Sequence, residues 1–376
     1  MVPGTGRSAL AAAIGLVLTV TGCTGRGEDS AFPGLKERSV LPGITVGVIL
    51  SDPAASARWE DVDRPLLTDA LSAQGLQPDV ENSEGDATMF AAIADSMISN
   101  GVKVLVIAAP NNQVGALVAA KARAAHIPTI DYDYDRLNAG GSSDYSVSFD
   151  PVRAGDLQGR GLVRGIRGAR VHGATVIELG GPQTDPTTPL LVQGARNVLQ
   201  PRYDTGAYRL VASQSVEDNH RAGAVFEHLL TAGGGHVDGV LAAGDGVADA
   251  VIAVLRRKGL NGKVRVTGLG ATPEALKAIL RGDQFMTVFP SVDQQTTETA
   301  KLAGALARSD YAAAGRMVSM TLSGSTTHHK IRAILIPPVF ITVNTVKQVI
   351  DSRLIDSHDV CDSELALRCD QLGISR

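Results

Sequence analysis

The sequence predicts an α/β fold of two similar lobes, each a doubly wound parallel sheet with helices on both faces. Short apolar, β-branched runs alternate with stretches whose apolar residues recur at helical spacing, which is typical of parallel sheets. The alternation restarts after residues 137–143, which are rich in glycine and serine. The length of 376 residues also allows two domains of ordinary size.

The first lobe opens with a β-branched run that predicts a buried strand over residues 44–50. The expected elements after it are a helix over 59–73, a helix marked by apolar residues from Met89 to Ile98, a strand over 102–108, a helix marked by Val114 to Ala125, and strands over 128–131 and 145–149. This βαβαβ order requires a parallel sheet that is covered on both faces.

The second lobe repeats the pattern. Its expected elements are a strand over 174–179, a helix over 190–199, a helix around Val225 to Leu230, a strand over 239–243, a helix over 247–257, a strand over 264–268, and helices over 273–280 and 296–307. No exact sequence repeat links the two sets, so the likeness is expected in architecture alone.

The predicted domain boundaries follow from these two sets. The N-terminal lobe covers 44–149 and is completed by about 291–335. The C-terminal lobe covers 150–290 and is completed by about 336–376. In such sheets the ligand meets the carboxyl ends of the strands, so the loops at those ends are the positions to search for a site.

The N-terminus has the features of a secretory signal that ends in a lipidation site. Arg7 precedes an apolar run over residues 9–20, which is too short to span a bilayer as a stable helix. Cleavage between Gly22 and Cys23 would leave a cysteine for diacylglycerol attachment. We therefore predict a signal peptide over 1–22 and a lipidated tether over 23–43. A generic signal peptide with a chance cysteine is the alternative.

The residue composition and net charge indicate a globular protein and disfavour a nucleic-acid-binding function. Hydrophobic residues make up 44% of the chain and charged residues 20%, both ordinary for a globular protein. Loss of Arg7 with the signal peptide moves the formal net charge from −4 to −5, which argues against a nucleic-acid partner. The predicted location is outside the cytoplasmic membrane, anchored to it by lipid.

Two cysteines remain near the C-terminus. In an oxidising compartment, Cys361 and Cys369 are expected to form a disulfide that pins the chain end. Two free thiols are the alternative. A metal site is less favoured, because the nearest histidine, His358, lacks a partner at metal-ligand spacing. No metal and no cofactor are predicted.

Polar side chains cluster at the expected carboxyl ends of the strands. The predicted ligand-binding residues are Arg58, Trp59, Asp135, Arg136, Asp185 and Asp245. Guanidinium donors, carboxylate acceptors and one aromatic face suit the hydroxyls and the C–H face of a sugar. Two purely structural alternatives stay open, since Trp59 could anchor the core and Asp185 or Asp245 could each cap a helix.

Several motifs together resemble one known family. They lie at residues 57–60, 63–65, 100–107, 133–137, 145–150, 259–264, 282–288, 360–361 and 367–369. From about residue 44 onward, the chain resembles the periplasmic sugar-binding proteins of ABC transporters, most closely the xylose-binding group. The resemblance implies the type I periplasmic-binding-protein fold, a sugar site that includes the residues named above, and the Cys361–Cys369 pair of lipoprotein members.

The chain departs from the family pattern mainly in the second lobe. Gly244 stands where the family usually has Asn, and Leu269 and Gly270 replace an amide and a carboxylate. Each hydrogen bond lost to a sugar hydroxyl costs about 1 kcal/mol. We therefore expect the first lobe to carry most of the affinity, and the family's usual pentose cannot be assumed as the ligand.

Two functional hypotheses follow. The first is a surface-anchored solute-binding lipoprotein, a monomer that closes two hinged lobes around a sugar or polyol and delivers it to ABC permease subunits. The second is a sensor or adaptor of the same fold that has weak or lost sugar binding and acts through a protein partner. An enzyme is not expected, because no complete dinucleotide or phosphate-loop motif, nucleophile elbow or zinc spacing is present.

Overall fold

The computed structural model describes residues 43–51, 59–132, 143–168, 173–183, 187–323, 330–352 and 354–374. Its strands are β1 (Thr45–Leu50), β2 (Gln77–Asn82), β3 (Val104–Ile107), β4 (Thr129–Tyr132), β5 (Tyr145–Phe149), β6 (Ala174–Gly180), β7 (Tyr208–Ser215), β8 (Gly239–Ala242), β9 (Arg265–Leu269), β10 (Met286–Phe289), β11 (Met320–Ser323), β12 (Lys330–Ile336) and β13 (Val339–Ile341). The predicted α/β class with two sheets is confirmed.

The strands form one sheet in each lobe. The seven-stranded sheet of the first lobe has the order β11-β12-β5-β4-β3-β1-β2, and the six-stranded sheet of the second has the order β13-β10-β9-β8-β6-β7. Neighbouring strands run parallel except at one edge of each sheet, where β11 pairs antiparallel with β12 and β13 with β10. The sheets are therefore predominantly parallel, as predicted, with one antiparallel strand added at an edge of each.

Helices cover both faces of each sheet. They are α1 (Arg64–Ala73), α2 (Ala87–Ser99), α3 (Asn112–Ala124), α4 (Pro151–Gly168), α5 (Thr188–Asp204), α6 (Asn219–Ala232), α7 (Asp245–Arg257), α8 (Pro273–Arg281), α9 (Val292–Ala307), α10 (Tyr311–Met317), α11 (Val346–Asp351), α12 (Ser357–Val360) and α13 (Ala366–Gln371). The helix predicted over 59–73 instead begins as a π-helical turn, Trp59–Asp63, which continues into α1.

The first lobe has an apolar core on each face of its sheet. One core packs α1 and α9 against the strands and includes Leu67 and Leu302, both fully buried. The other packs α2 and α3 on the opposite face and includes Phe90 and Val118. Complete burial of such a side chain contributes about 1.5–3 kcal/mol, so these two layers fix the strand ends from which the loops leave.

The second lobe is built in the same way. Its sheet carries α6 and α7 on one face, where Phe226 is fully buried, and α4 and α5 on the other. The helices α4 and α5 pack unusually closely, because glycines lie where they meet. A Cβ atom on Gly155 would lie 1.9 Å from the carbonyl oxygen of Leu191, and one on Gly194 would lie 1.9 Å from that of Val152. Alanine at either position would force the two helices apart.

The C-terminal segment packs on α8 of the second lobe. Its apolar residues share a cluster with Leu276, and Arg281 pairs with Glu364 at 2.6 Å. The structure pairs Cys361 with Cys369, whose Cα atoms lie 6.0 Å apart, a separation that disulfides commonly adopt. Among the helices of the described ranges, none is long and apolar enough to cross a membrane.

Three connections join the sheets. The chain passes from β5 into α4, from β10 into α9, and from β12 into β13. The second connection contains Pro290, and the third contains Pro337 and Pro338. The carboxyl ends of the parallel strands, where ligands of such sheets bind, thus lie in two separate lobes that short segments connect.

Candidate ligand-binding site

A cavity of about 290 Å³ opens at the carboxyl ends of β6, β8 and β9 in the second lobe. This volume is close to the lower end of the range for small-molecule sites, about 300 Å³. Its lining comes from strand ends and from the first residues of α5, α6 and α7: Gly181, Pro182, Thr187, Thr188, Leu191, Val216, Asn219, Ala243, Gly244, Asp245, Gly246, Val247, Leu269 and Thr272. The cavity therefore lies where the topology places ligands in doubly wound sheets.

The helices that begin around the cavity differ in how their starts are capped. The side chain of Asp218 caps α6 by accepting from the backbone N–H of His220 at 2.9 Å, and Thr272 caps α8 by accepting from Ala275 at 3.2 Å. The start of α7 has no side-chain cap, because its N-cap residue is Gly244. The backbone N–H groups of the first turn of α7 therefore stay available as donors beside the cavity.

Among the described residues that line the cavity, Asp245 has the charged side chain. Its carboxylate points into the interior of the second lobe rather than into the cavity. It is only 2% exposed. Its Oδ1 atom accepts from Thr287 Oγ1 at 2.8 Å and from Gln284 Nε2 at 3.1 Å, and Oδ2 accepts from the Thr272 N–H at 3.0 Å. Burial raises the pKa of Asp245, while these hydrogen bonds act in the opposite direction. The alternative in which Asp245 caps its own helix is wrong, because its oxygens bind β10 and the start of α8 instead.

Two glycines make room for the Asp245 carboxylate. A Cβ atom on Gly268 would lie 2.1 Å from Asp245 Oδ1, and one on Gly270 would lie 3.3 Å from Oδ2. Gly270 also has a φ of +130°, in the region that favours glycine. A side chain at position 270 would therefore be strained and would crowd a buried acid.

The sequence did not point to two polar residues in this cavity. Thr188 is 7% exposed, and its Oγ1 atom has no hydrogen-bond partner among the residues that the structure describes. Asn219 is exposed at the start of α6, with its amide nitrogen beside Gly246. Each residue is the first of a helix that follows a strand end, and the strand before Asn219, β7, was not predicted. A hydroxyl and an amide can both donate to and accept from a sugar hydroxyl.

The first lobe contributes Trp59 to the predicted site. Trp59 is half-buried and packs against the core of α1 and α9. Its ring meets Tyr132 edge to face, with centroids 6.3 Å apart, and the Tyr132 hydroxyl donates to the buried carboxylate of Asp63. These contacts join the start of the Trp59–Asp63 turn to the end of β4. Trp59 is thus a core contact that keeps part of its ring exposed, so contact with a ligand stays a prediction.

The other predicted residues lie outside the described ranges. They are the ligand-binding candidates Arg58, Asp135, Arg136 and Asp185 and the lipidation candidate Cys23. Of the six predicted ligand-binding residues, the structure therefore describes two, Trp59 in the first lobe and Asp245 in the second. No grouping of three potential metal-ligating side chains occurs among the residues that the structure describes.

We predict a pH-dependent stability effect at Asp249, one turn after Asp245. Burial is the main reason that the pKa of Asp249 is raised to about 6, the charges of Asp245 and Glu274 raise it further, and Arg256 lowers it. Because the folded pKa lies above the ordinary value of 3.8, stability from this group is full below about pH 4 and is lost as pH rises through about 6.

The replacement Asp249→Asn should therefore raise the melting temperature at about pH 8 and change it little at about pH 4. Thermal unfolding followed by circular dichroism at both pH values measures the difference. A melting temperature that shifts equally at both values would show that the charge of Asp249 is not the cause.

Comparison with known proteins agrees with this architecture. Residues 46–310 match the family described as periplasmic binding protein domain. The D-xylose-binding periplasmic protein of Haemophilus influenzae is 30% identical over 255 residues, 67% of this chain and 74% of that protein. The multiple sugar-binding periplasmic receptor of Rhizobium radiobacter is 31% identical over 277 residues, 70% of this chain and 77% of that protein.

A solved structure is also similar. The carbohydrate transporter solute binding protein of Chloroflexus aurantiacus, crystallised with D-glucose, has a TM-score of 0.66 and 25% identity, with 84% of this chain and 97% of that chain covered. These relatives are solute-binding proteins rather than enzymes, as the sequence predicted for this chain. The fold, the matched residues and the relatives agree: the chain belongs to the periplasmic binding protein domain family.

Proposed function

We propose that the protein is a solute-binding lipoprotein of an ABC transporter that binds a monosaccharide or a related small polar ligand between its two lobes. The observation that carries the proposal is the polar cavity at the carboxyl ends of β6, β8 and β9. Asn219 supplies an exposed amide there, which can both donate to and accept from a sugar hydroxyl. Relatives at about 30% identity that are named as sugar-binding proteins support the same ligand class.

In this proposal the first lobe supplies the remaining contacts. Arg58, Trp59, Asp135 and Arg136 are the proposed ligand groups of the first lobe, and Asp185 is proposed for the rim of the second. Residues 44–149 with about 291–335 would move as one body, and 150–290 with about 336–376 as the other. Hinge closure about the three connections would then present a closed form to the membrane permease.

A thermal-shift screen of the mature protein against pentoses, hexoses, polyols and inositols tests the proposal. A ligand at about one hundred times its dissociation constant stabilises the folded state by about 2.7 kcal/mol, which gives a clear rise in melting temperature. At least one monosaccharide should produce this rise. If no compound does so at millimolar concentration, the sugar-binding proposal is wrong.

One observation favours a second candidate, a sensor or adaptor that acts through a protein partner. The second lobe has Leu269 and Gly270 where the resemblance to the xylose-binding group implies an amide and a carboxylate, and both Asp245 oxygens already accept hydrogen bonds within the lobe. A negative sugar screen together with a neighbouring histidine-kinase gene would favour this candidate. A neighbouring permease and ATPase pair would favour transport.

We predict that Cys23 carries the membrane anchor. The replacement Cys23→Ser removes the thiol that would accept diacylglycerol, so the protein should move from the membrane fraction into the medium. Fractionation followed by immunoblotting measures the change. Ser30→Ala is the control, since it changes the same predicted tether but leaves the Cys23 thiol in place. Unchanged membrane association of Cys23→Ser would contradict the prediction.

We also predict that Cys361 and Cys369 form a disulfide in the mature protein. The structure pairs them next to α8, and an extracytoplasmic location would keep the bond oxidised. Non-reducing peptide mapping should recover the two cysteines in one cross-linked species. Alkylation of both thiols without prior reduction would show that the bond is absent.

A further inference from the structure

The second-lobe cavity has an apolar wall on one side. Leu191 of α5 and Leu269 at the end of β9 both line the cavity, and both are half-buried. Each also packs against the apolar cluster of α4 and β10 that includes Leu157 and Met286. The two leucines are therefore supported from behind by the core of the lobe, and together they present a hydrocarbon surface to whatever occupies the cavity.

The path of β9 explains why Leu269 faces this side. Successive side chains of a strand point to opposite faces of the sheet. A Cβ atom on Gly268 would lie 2.1 Å from Asp245 Oδ1, so position 268 faces α7. Leu269, the next residue, faces the side of the sheet that α4 and α5 cover. The apolar wall thus depends on the residue at position 269, where the resemblance to the xylose-binding group implies an amide.

The polar side chains of the lining do not offset this wall. Thr187 and Thr188 are only 2% and 7% exposed, and both Asp245 oxygens accept hydrogen bonds within the lobe. Thr272 accepts from the first turn of α8 as its cap. Asn219 is exposed, but it begins α6, which packs on the opposite face of the sheet. Among the described lining residues, none on the side of the two leucines therefore offers an exposed polar side chain.

This arrangement favours a ligand that brings a methyl group to the wall. A ligand hydroxyl against Leu191 and Leu269 would lose its hydrogen bonds to water without an exposed polar side chain there to replace them, which is unfavourable. A methyl group in the same place gains from the burial of apolar surface. A ligand that carries only hydrogen at that position leaves the wall uncovered and forgoes the gain.

We propose that the ligand is a 6-deoxyhexose whose methyl group packs against Leu191 and Leu269. This inference rests on the proposed function and names the substrate class of the same site. The ring hydroxyls are left for Asn219 on the polar side of the cavity and for the groups proposed in the first lobe.

Calorimetry on the purified mature protein tests the inference with sugars that differ only in the substituent on C5. D-Xylose, D-quinovose and D-glucose form one series, and L-arabinose, D-fucose and D-galactose form another, with hydrogen, methyl and hydroxymethyl in turn. L-Rhamnose with L-mannose and L-fucose with L-galactose extend the comparison to L-sugars. In the series that binds most tightly, the methyl sugar should bind about tenfold more tightly than its partners, the lower end of what one carbon contributes in an apolar pocket.

Two variants with the same substitution locate the methyl group. Leu269→Asn keeps the size of the side chain and adds an amide to the wall, so it should bring the affinities for the methyl and hydroxymethyl sugars to within about twofold, because the hydroxyl gains a partner. Leu367→Asn makes the same change on α13, at a side chain that is 74% exposed and outside the cavity lining, and should retain the preference. The preference is a ratio measured on one protein, so a partial loss of folded molecules does not alter it.

Each outcome separates the inference from the proposed function. A hexose or pentose that binds as tightly as its methyl counterpart would overturn the inference and leave the proposed function standing, and so would a tightest ligand that lies outside these series, such as an inositol. An unchanged preference in Leu269→Asn would overturn the placement of the methyl group at the wall. If no sugar of the series binds and the wider thermal-shift screen is also negative, both the inference and the proposed function fall.

Discussion

Replacing Arg136 with alanine should weaken ligand binding more than replacing Asp245 with alanine. A guanidinium can make a bidentate, charge-assisted contact to a sugar oxygen, worth roughly 1.5–3 kcal/mol or about a tenfold to hundredfold loss of affinity. Calorimetry with the ligand from the screen measures the loss. Arg136→Lys is the informative companion, because it keeps the charge and loses the fork, so it should recover only part of the affinity.

The matching comparison is with Asp245→Ala. Both Asp245 oxygens are bonded within the second lobe, so its direct contribution to affinity should be smaller than that of Arg136. Calorimetry measures binding, and a far-ultraviolet circular-dichroism spectrum shows separately whether the fold is intact. If Asp245→Ala abolishes binding with the fold intact while Arg136→Ala binds normally, the assignment of affinity to the first lobe is wrong.

The second large effect expected is on stability, again at Asp245. Alanine there would leave the Thr287 hydroxyl, the Gln284 amide and the Thr272 N–H without their acceptor inside the lobe. The Thr287 and Gln284 donors are buried, and each costs about 1–3 kcal/mol when unsatisfied, so the total loss is expected to be on the order of 2 kcal/mol or more. Chemical denaturation of the mature protein measures the loss as a lower midpoint.

Asp245→Asn is the control for this stability effect. Asparagine keeps the shape and one acceptor oxygen, and it removes a charge that burial disfavours. Its Nδ2 group would nevertheless meet the Thr272 N–H, so some loss remains. The loss should therefore be smaller than for alanine. Equal denaturation midpoints for wild type and Asp245→Ala would show that the network around Asp245 does not stabilise the lobe.

The buried part of the fold was predictable because buried parallel strands and amphipathic helices leave clear apolar patterns. The strands β1, β3, β4, β5, β6, β8 and β9 all lie where the sequence placed them. The strands β2 and β7 were missed because each is a sheet edge with polar, partly exposed residues, such as Asp79 and Gln214. Helix α4 was missed because its glycines, which allow close packing on α5, lower its helical signal.

The candidate site was predictable only to the level of strand ends. The topology rule selected the strand end before Asp245, where a cavity lies, but it could not show that the carboxylate turns inward toward Thr287 and Gln284. That orientation depends on space left by Gly268, a tertiary contact with no local signature. Thr188 and Asn219 were missed for a similar reason, since a threonine or asparagine at a helix start is commonly a cap.

A small polar ligand should close the two lobes, and small-angle X-ray scattering of the mature protein tests this closure most directly. Scattering is recorded without ligand and at a saturating concentration of the best compound from the screen. The saturated sample should have a smaller radius of gyration, because hinge closure brings the two lobes together. Saturated binding with an unchanged radius of gyration would contradict closure and, with it, the proposed transport mechanism.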